Sequence, residues 1–488
     1  MLSFFQRLLL LPWFVLVILA QSILNAESLN SNFRMEDNPL SFLREVPGDF
    51  LYPSHNLDSG GGNLELWGNY KDIFREKKEN GDYNYLNQLN AGMKIVKVFE
   101  YDSRKSAFFF GGNIYSLQGD FPSAKLTQLN SPGSNIMIGY STTIRNHKAG
   151  IAYKYLNSSQ SLGCKLDPFP VSEKQEENDY LFNPLKDFFG TEYNISGQRS
   201  KNSIVIEDEF NIIGGHSADI RLIFNSEEQN YALQYTNSDS ETNYIDIPMS
   251  IENWCWDINY YYELNNKWLF KFLISGITEG ISLDILPRAA APEKDITSFG
   301  DTDLTLSNLK VGGGAKYIIN EKTETFLKIN YGLSTSSAPV SFATPVLGKI
   351  VFIPIVHRLI GTGTADIPIW HIQAGYSRDI SEKVGFCIIL DYLFSGTIAR
   401  FQGEAQLTAG LDNYQIDENL NIHFGLIHLN PSLKYNISSK LFVVYNLNIN
   451  VPYYTFTRAG YEPPPSDDGW KVRGGGGFEH ALSFAWEF

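Results

Sequence analysis

Apolar and polar residues alternate with period two along most of this chain. In the segment Trp254–Leu264, every second residue is apolar or aromatic, and the positions between them include Asp257 and Glu263. The following segment begins after Asn265-Asn266, a pair typical of tight turns, and alternates in the same way. Strict alternation predicts strands that have one apolar and one polar face. The two segments therefore predict a β-hairpin with an aromatic-rich apolar face.

The alternation recurs in segments of about 9–12 residues, the length with which a tilted strand crosses a membrane. The predicted strands are 63–70, 91–101, 106–117, 133–145, 148–157, 217–226, 229–237, 254–264, 267–279, 310–319, 324–335, 367–378, 384–395, 421–434, 441–452 and 478–488. Short connections, such as Glu227–Glu228, alternate with long ones, such as 158–216. Ser203–Ile213 also alternates, and we assign it to an outer hairpin within the long loop 158–216. A membrane-spanning role for Ser203–Ile213 would change the strand number, so the predicted range is roughly 12–18.

Two folds explain an alternating pattern. A soluble β-sandwich buries its apolar faces between two sheets. A transmembrane barrel turns its apolar face to lipid and its polar face to the lumen. The segment length, the Tyr and Trp residues at segment ends and the alternation of short and long connections favour the barrel. We predict an all-β fold, a transmembrane antiparallel up-and-down β-barrel of about 16 strands.

The N-terminal residues have the pattern of an export signal. The apolar run Leu8–Ala20 follows Arg7, and Ala26 ends a short small-residue segment. This order is typical of a secretory signal peptide, and the run is short for a membrane anchor, which needs ~20 residues. We predict a cleaved signal peptide over residues 1–26. Residues 27–62 then form a periplasmic tail or a lumenal plug, and residues 63–488 form the barrel.

The C-terminus carries a family resemblance. Leu482, Phe484, Trp486 and Phe488 share one face of the last strand. A chain that ends on Phe after alternating aromatic residues resembles bacterial outer-membrane β-barrel proteins of the porin, channel or transporter type. The resemblance implies an integral protein of the bacterial outer membrane. It also implies contact with outer-membrane lipid and lipopolysaccharide, and recognition of the C-terminal strand by the barrel-assembly machinery.

Composition excludes several other classes. The 488 residues carry a net charge of −15, and this acidic balance argues against a nucleic-acid-binding protein. Aromatic residues make up 14% of the chain, which excludes an intrinsically disordered protein. The cysteines Cys164, Cys255 and Cys387 are widely spaced and form no metal-binding pattern. Because their number is odd, at least one thiol remains free.

The sequence contains no motif of enzymatic chemistry that we recognise. It lacks the G-x-S-x-G elbow of hydrolases and the H-E-x-x-H motif of metalloproteases. The glycine runs Gly312–Gly314 and Gly474–Gly477 lack the Lys and Ser/Thr of a phosphate-binding loop. We therefore predict a protein that is not an enzyme and that has neither a metal nor a cofactor.

The polar faces of the strands predict the chemistry of the lumen. Charges of both signs suit a water-filled passage for small solutes, in which they set an electrostatic barrier. Two alternatives remain open: a surface-exposed structural or adhesin-like barrel with a closed lumen, and a transporter of hydrophobic compounds. The predicted lumen-facing residues are Arg145, Lys148, Lys154, Asp219, Arg221, Asp257, Glu263, Lys271, Lys310, Lys316, Lys328, Asp391, Glu479 and Glu487.

Overall fold

The structure is a computed structural model. It describes residues 53–58, 61–77, 83–101, 104–121, 126–165, 192–212, 214–236, 242–288, 300–343, 356–407, 414–458, 471–472 and 477–487. The predicted signal peptide and most of the segment 27–62 lie outside the described residues. Signal-peptide cleavage therefore stays a prediction.

The described residues form strands and one short 3-10 helix, Pro53–Asp58. The strands are β1 (Gly62–Lys77), β2 (Tyr83–Tyr101), β3 (Arg104–Phe121), β4 (Leu126–Ile144), β5 (His147–Lys165), β6 (Glu192–Asn211), β7 (His216–Thr236), β8 (Thr242–Asn265), β9 (Trp268–Arg288), β10 (Gly300–Asn320), β11 (Thr323–Ala343), β12 (Val356–Asp379), β13 (Val384–Leu407), β14 (Tyr414–Asn436), β15 (Leu441–Arg458), β16 (Lys471–Val472) and β17 (Gly477–Glu487).

The strands close into a single antiparallel barrel. From β1 to β15 each strand pairs with the next one in sequence, and β1 also pairs with β17, from Asn63 opposite Glu487 to Asp72 opposite Phe478. The two-residue strand β16 and β17 both pair with β15, so they occupy one position in the wall. The wall therefore has 16 strands, and the prediction of a 16-strand antiparallel β-barrel is confirmed.

Two strand assignments from the sequence are wrong, and the errors cancel in the count. Ser203–Ile213 is not an outer hairpin, because its residues up to Asn211 belong to β6, which pairs along its length with β5 and β7. Glu227–Glu228 is not a turn, because β7 runs unbroken from His216 to Thr236. The actual turn before β7 contains Gly214 and Gly215, whose φ angles of 80° and 81° suit glycine.

Most of the strands are longer than predicted. β8 has 24 residues and β13 also has 24, whereas a tilted strand crosses a membrane with about 9–11. The extra residues lie at the end of the barrel opposite the short turns, which we call the long-loop end. β13, for example, continues to Leu407 rather than ending at residue 395. Many residues that we predicted to lie in long loops therefore extend the strands of the barrel wall.

Outward-facing side chains form an apolar band near the short-turn end. On β8 the band extends from Tyr262 to Trp254, which is 61% exposed, and the next outward residue is the charged Glu252. Aromatic pairs mark both edges, with ring centroids 4.5 Å apart for Trp268 and Tyr317 and 4.3 Å apart for Phe224 and Trp254. An exposed apolar band between aromatic girdles is typical of transmembrane barrels.

No helix within the described part of the chain has the length and apolar character needed to span a membrane.

Several inward-facing aromatic rings lie over glycines of the neighbouring strand. The Phe326 ring covers Gly375 so closely that an added Cβ would meet its Cε1 atom at 1.8 Å. We expect Gly375→Ala to destabilise the barrel by about 1–3 kcal/mol, because the ring has to leave its position. Samples are heated to increasing temperatures before electrophoresis, and the measurement is the temperature above which the barrel no longer migrates as the folded form. Gly68→Ala is the control, since an added Cβ there has nothing within 4 Å. An equal loss of thermal stability in Gly375→Ala and Gly68→Ala would contradict this explanation.

Candidate functional site

The inner face of strands β5–β9 is built from in-register rows of like character. Strand pairing places every second residue on the same face, and an apolar row lies there between two mainly polar rows. The apolar row contains Ala152, Val205, Ile223, Cys255 and Ile277. The row towards the short turns contains Gly150, Glu207, Arg221, Asp257 and Ser275. The row towards the long loops contains Lys154, Ser203, Asn225, Asn253 and Glu279.

The 3-10 helix Pro53–Asp58 lies against the inner face of the barrel. It contacts strands β2–β6, and Leu57 is only 1% exposed. Leu57 belongs to an apolar cluster of inward-facing side chains. Its members in the wall are Val96, Ala107, Phe109, Met137, Ala152, Val205 and Ile223. The N-terminal segment therefore places an apolar side chain deep in the barrel, near the short-turn end.

Two features of the wall hold the helix in place. The backbone N–H of Ser54 donates to Oε2 of Glu207 at 2.8 Å, and Glu207 is buried. Gly150 leaves the space that Pro53 occupies, because a Cβ on Gly150 would lie 2.8 Å from Cγ of Pro53. The Asn56 side chain also donates to the carbonyl of Pro53, which completes the turn. The hydrogen bond to Glu207 and the packing of Pro53 over Gly150 therefore both position the helix.

A buried ion pair joins β6 and β7 further from the short turns. Arg199 donates from Nε to Oε1 of Glu227 at 2.5 Å and from its second terminal nitrogen to Oε2 at 2.9 Å. Only 8% and 4% of the two side chains are exposed. Gln229 also donates to Glu227, and Tyr231 donates to Gln229 at 2.5 Å. The carboxylate of Glu227 is thereby held by several donors.

A second polar network lies nearer the short turns. Arg221 donates to Asp257 on the adjacent strand, and both side chains are largely buried. Asn259 donates to Asp219 at 2.7 Å. One of these acids thus meets a cation and the other a neutral amide on the adjacent strand.

The opposite side of the wall repeats this arrangement. Lys316 and Glu324 approach to 2.7 Å, and Nε2 of His371 lies 2.5 Å from Oδ1 of Asp391. The Asn330 amide lies 3.5 Å from Nδ1 of the same histidine. A second apolar cluster lies nearby and contains Phe326, Cys387, Ile389, Phe442, Val444 and Ala485. Paired charges and apolar patches therefore cover both halves of the described inner face.

The predicted lumen-facing residues have different positions in the structure. Those on the polar, inward side of their strands are Lys148, Lys154, Asp219, Arg221, Asp257, Lys271, Lys310, Lys316, Lys328 and Asp391. Arg145 is not on the wall, because it lies in the turn between β4 and β5 with a φ of 58°. Glu263 is exposed at the short-turn end of β8. The side chains of Glu479 and Glu487 lie outside the described residues.

Sequence reasoning missed four charged residues of the inner wall. Arg199, Lys201 and Glu207 are on β6, which the sequence assigned to a loop, and Glu227 was assigned to a turn. The signal that could have found β6 was the alternation within Ser203–Ile213.

The C-terminal strand closes the barrel against β1. Leu482, Phe484 and Trp486 face outward and are 41%, 42% and 50% exposed. Phe488 lies outside the described residues, and its role in assembly stays a prediction.

Within the described ranges, no three His, Cys, Asp or Glu side chains converge as a metal site. Cys255 and Cys387 are free thiols.

Comparison with known proteins finds likeness only at the level of the whole barrel. No family model and no curated protein matches the chain. The Pseudomonas putida toluene transporter TodX is 11% identical, with 89% of this chain and 92% of that one covered and a TM-score of 0.39. The monoaromatic hydrocarbon channel CymD is 10% identical, with 91% and 93% covered and a TM-score of 0.40. The copper transporter OprC is 9% identical, with 87% and 76% covered and a TM-score of 0.38. Likeness at this level does not identify a solute, and the barrel assignment depends on the strand pairing described above.

Proposed function

We propose that this protein is an integral channel or transporter of the bacterial outer membrane that passes small solutes. In this proposal residues 1–26 are a cleaved signal peptide, and the short-turn end faces the periplasm. The N-terminal segment up to Asp58 is a plug that closes the lumen at that end. The observation that carries the proposal is the burial of Leu57 against the inner wall of a barrel whose inner face is otherwise largely polar. Nothing is covalently transformed.

The inner wall supports passage of neutral or weakly charged solutes. Several of its charges pair across neighbouring strands, as Arg221 does with Asp257 and Lys316 with Glu324. Selective channels use rings of one sign, and paired charges create no such barrier. The apolar clusters around Leu57 and Phe326 contain no common residue. The two clusters therefore do not form one continuous apolar path along the described inner wall. This separation favours polar solutes over hydrophobic compounds, the alternative left open by the sequence.

We expect the refolded chain from residue 27 onwards to conduct in planar bilayers with little ion preference. Openings should be brief, because the plug occupies the lumen near the short-turn end. Under a tenfold salt gradient, the reversal potential should stay close to zero, since the wall charges balance locally. A strong cation or anion preference would contradict the role assigned to the paired charges.

A surface-exposed barrel with a closed lumen is the second candidate. The observation that favours it is the length of strands such as β8 and β12, which extend the wall well beyond the apolar band. This candidate predicts that a properly folded barrel stays silent even after removal of residues 27–58. Conduction by the shortened chain would exclude it.

A further inference from the structure

One part of the outer face above the apolar band has a distinct composition. On strands β4–β6, three successive in-register rows contain only hydroxyl and amide side chains and one proline, without a charged residue. From the band upwards they are Ser134, Asn157 and Ser200; Pro132, Ser159 and Gln198; and Asn130, Ser161 and Ser196. We call these nine residues the neutral patch.

The neutral patch contains a recess of 390 Å³ in the wall. Pro132 has no backbone N–H, and the pairing of β4 with β5 lapses between Asn130 and Gly133. On β6, Gly197 lines the recess with backbone atoms, because its Cβ position faces inward against the Tyr231 ring. The remaining lining residues include Ser161 and Ser196, whose hydroxyls face outward. The recess thus combines open space with side chains that can both donate and accept hydrogen bonds.

Aromatic rings border the neutral patch on the side of the membrane. Tyr153 and Tyr155 face outward at the upper edge of the apolar band and are 40% and 38% exposed. The Tyr153 hydroxyl donates to Oδ1 of Asn202 at 2.6 Å. Aromatic side chains of this kind suit the boundary between acyl chains and a hydrated layer. The neutral patch therefore lies at the height of the head groups that surround the barrel.

Charged side chains occur on other parts of the described outer face at the long-loop end. On β13 and β14, at the long-loop end, Arg400 forms a hydrogen-bonded pair with Asp417 at 3.1 Å on the outer face. The hydrogen bond from Arg400 holds the pKa of Asp417 below its ordinary value. The extended wall thus accommodates charges elsewhere, whereas the nine residues of the neutral patch offer a ligand only uncharged polar groups.

We propose that the neutral patch binds the uncharged sugars of a glycolipid in the surrounding leaflet. Sugar hydroxyls both donate and accept hydrogen bonds, as do the Ser, Asn and Gln side chains of the patch. Phosphate groups would call for Lys or Arg, which the patch lacks. The position beside Tyr155, next to the membrane, favours a lipid-anchored sugar over a soluble one. This inference depends on the membrane location in the proposed function, but not on conduction.

The test compares lipid nanodiscs that contain either of two lipopolysaccharides. One has a complete core, and the other is a deep-rough form that lacks the neutral hexoses but keeps the phosphates. We expect the wild-type barrel to prefer the complete core by about tenfold in Kd, which corresponds to about 1.4 kcal/mol. The double variant Ser161→Glu/Ser196→Glu should lose this preference, because its larger, charged side chains occupy the recess in which the neutral sugars would bind.

Ser307→Glu/Thr335→Glu is the matched control. These two hydroxyls also lie on the outer face of adjacent strands, 2.8 Å apart and exposed, but away from the neutral patch. The control variant should keep the tenfold preference. Unheated gel mobility shows that each variant is folded, and bilayer conductance tests the proposed function separately.

Three results would overturn the inference. They are equal affinity of the folded wild type for both lipopolysaccharides, an unchanged preference in Ser161→Glu/Ser196→Glu, and an equal loss of preference in the control variant. Free core oligosaccharide provides a further arm of the test. If it binds as tightly as the intact glycolipid, the ligand is a soluble sugar and the proposed lipid source is wrong.

Discussion

Deletion of residues 27–58 should convert a largely closed barrel into a steadily conducting one. The deletion removes the helix that carries Leu57 but leaves β1 intact, because that strand begins at Gly62. Strand pairing around the wall does not involve the helix, so the shortened barrel should still close between β1 and β17. Planar bilayer recordings should show a large rise in open probability. Unchanged conductance in a folded barrel would show that the segment does not obstruct the lumen.

A reversible crosslink provides the complementary experiment. Cβ of Pro53 lies 2.9 Å from the position that a Cβ on Gly150 would take. Disulfides place Cβ atoms about 3.5–4.5 Å apart, so a small shift of the helix would allow Pro53→Cys/Gly150→Cys to form one. The oxidised variant should stay closed, and reduction should restore wild-type openings. If brief openings persisted in the fully oxidised variant, they would not result from movement of the helix away from Gly150, and the proposed plug mechanism would be wrong.

The strand faces could be predicted from the sequence because the alternation is a local property. The inward side of Asp219 and Arg221 follows directly from the apolar residues between and beside them. Strand β6 was harder, since it contains the acidic run Glu207–Glu209, which resembles a solvated loop. In the structure Glu207 accepts from Ser54, and Asp208 lies 3.0 Å from His147. Those partners are distant in sequence, so composition alone gave no indication that the acids belong to a wall.

The plug position could not be derived from sequence in the same way. It depends on the space above Gly150 and on the register that brings Val96, Phe109 and Val205 around Leu57. The pairing of Arg199 with Glu227 likewise depends on the register between β6 and β7. A local pattern fixes which face a residue occupies, but register decides which charges meet.

Loss of either member of the Arg199–Glu227 pair should strongly destabilise the barrel. We expect Glu227→Ala to lower the free energy of unfolding by about 3–5 kcal/mol, because it leaves a buried guanidinium without its carboxylate. Lys201 lies 3.9 Å from the same carboxylate and would lose that contact as well. Urea unfolding in lipid vesicles, followed by tryptophan fluorescence, measures the effect.

The double variant Arg199→Met/Glu227→Leu separates burial of charge from loss of packing. Replacing a buried ion pair by apolar side chains of similar volume is often neutral or stabilising, so the double variant should be more stable than Glu227→Ala. Arg400→Met is the control, because its pair with Asp417 is 47% and 57% exposed and should change stability little. If Glu227→Ala cost no more than Arg400→Met, water would reach Arg199 freely. The wall at that level would then border an open lumen, and the obstruction would be confined to the position of Leu57.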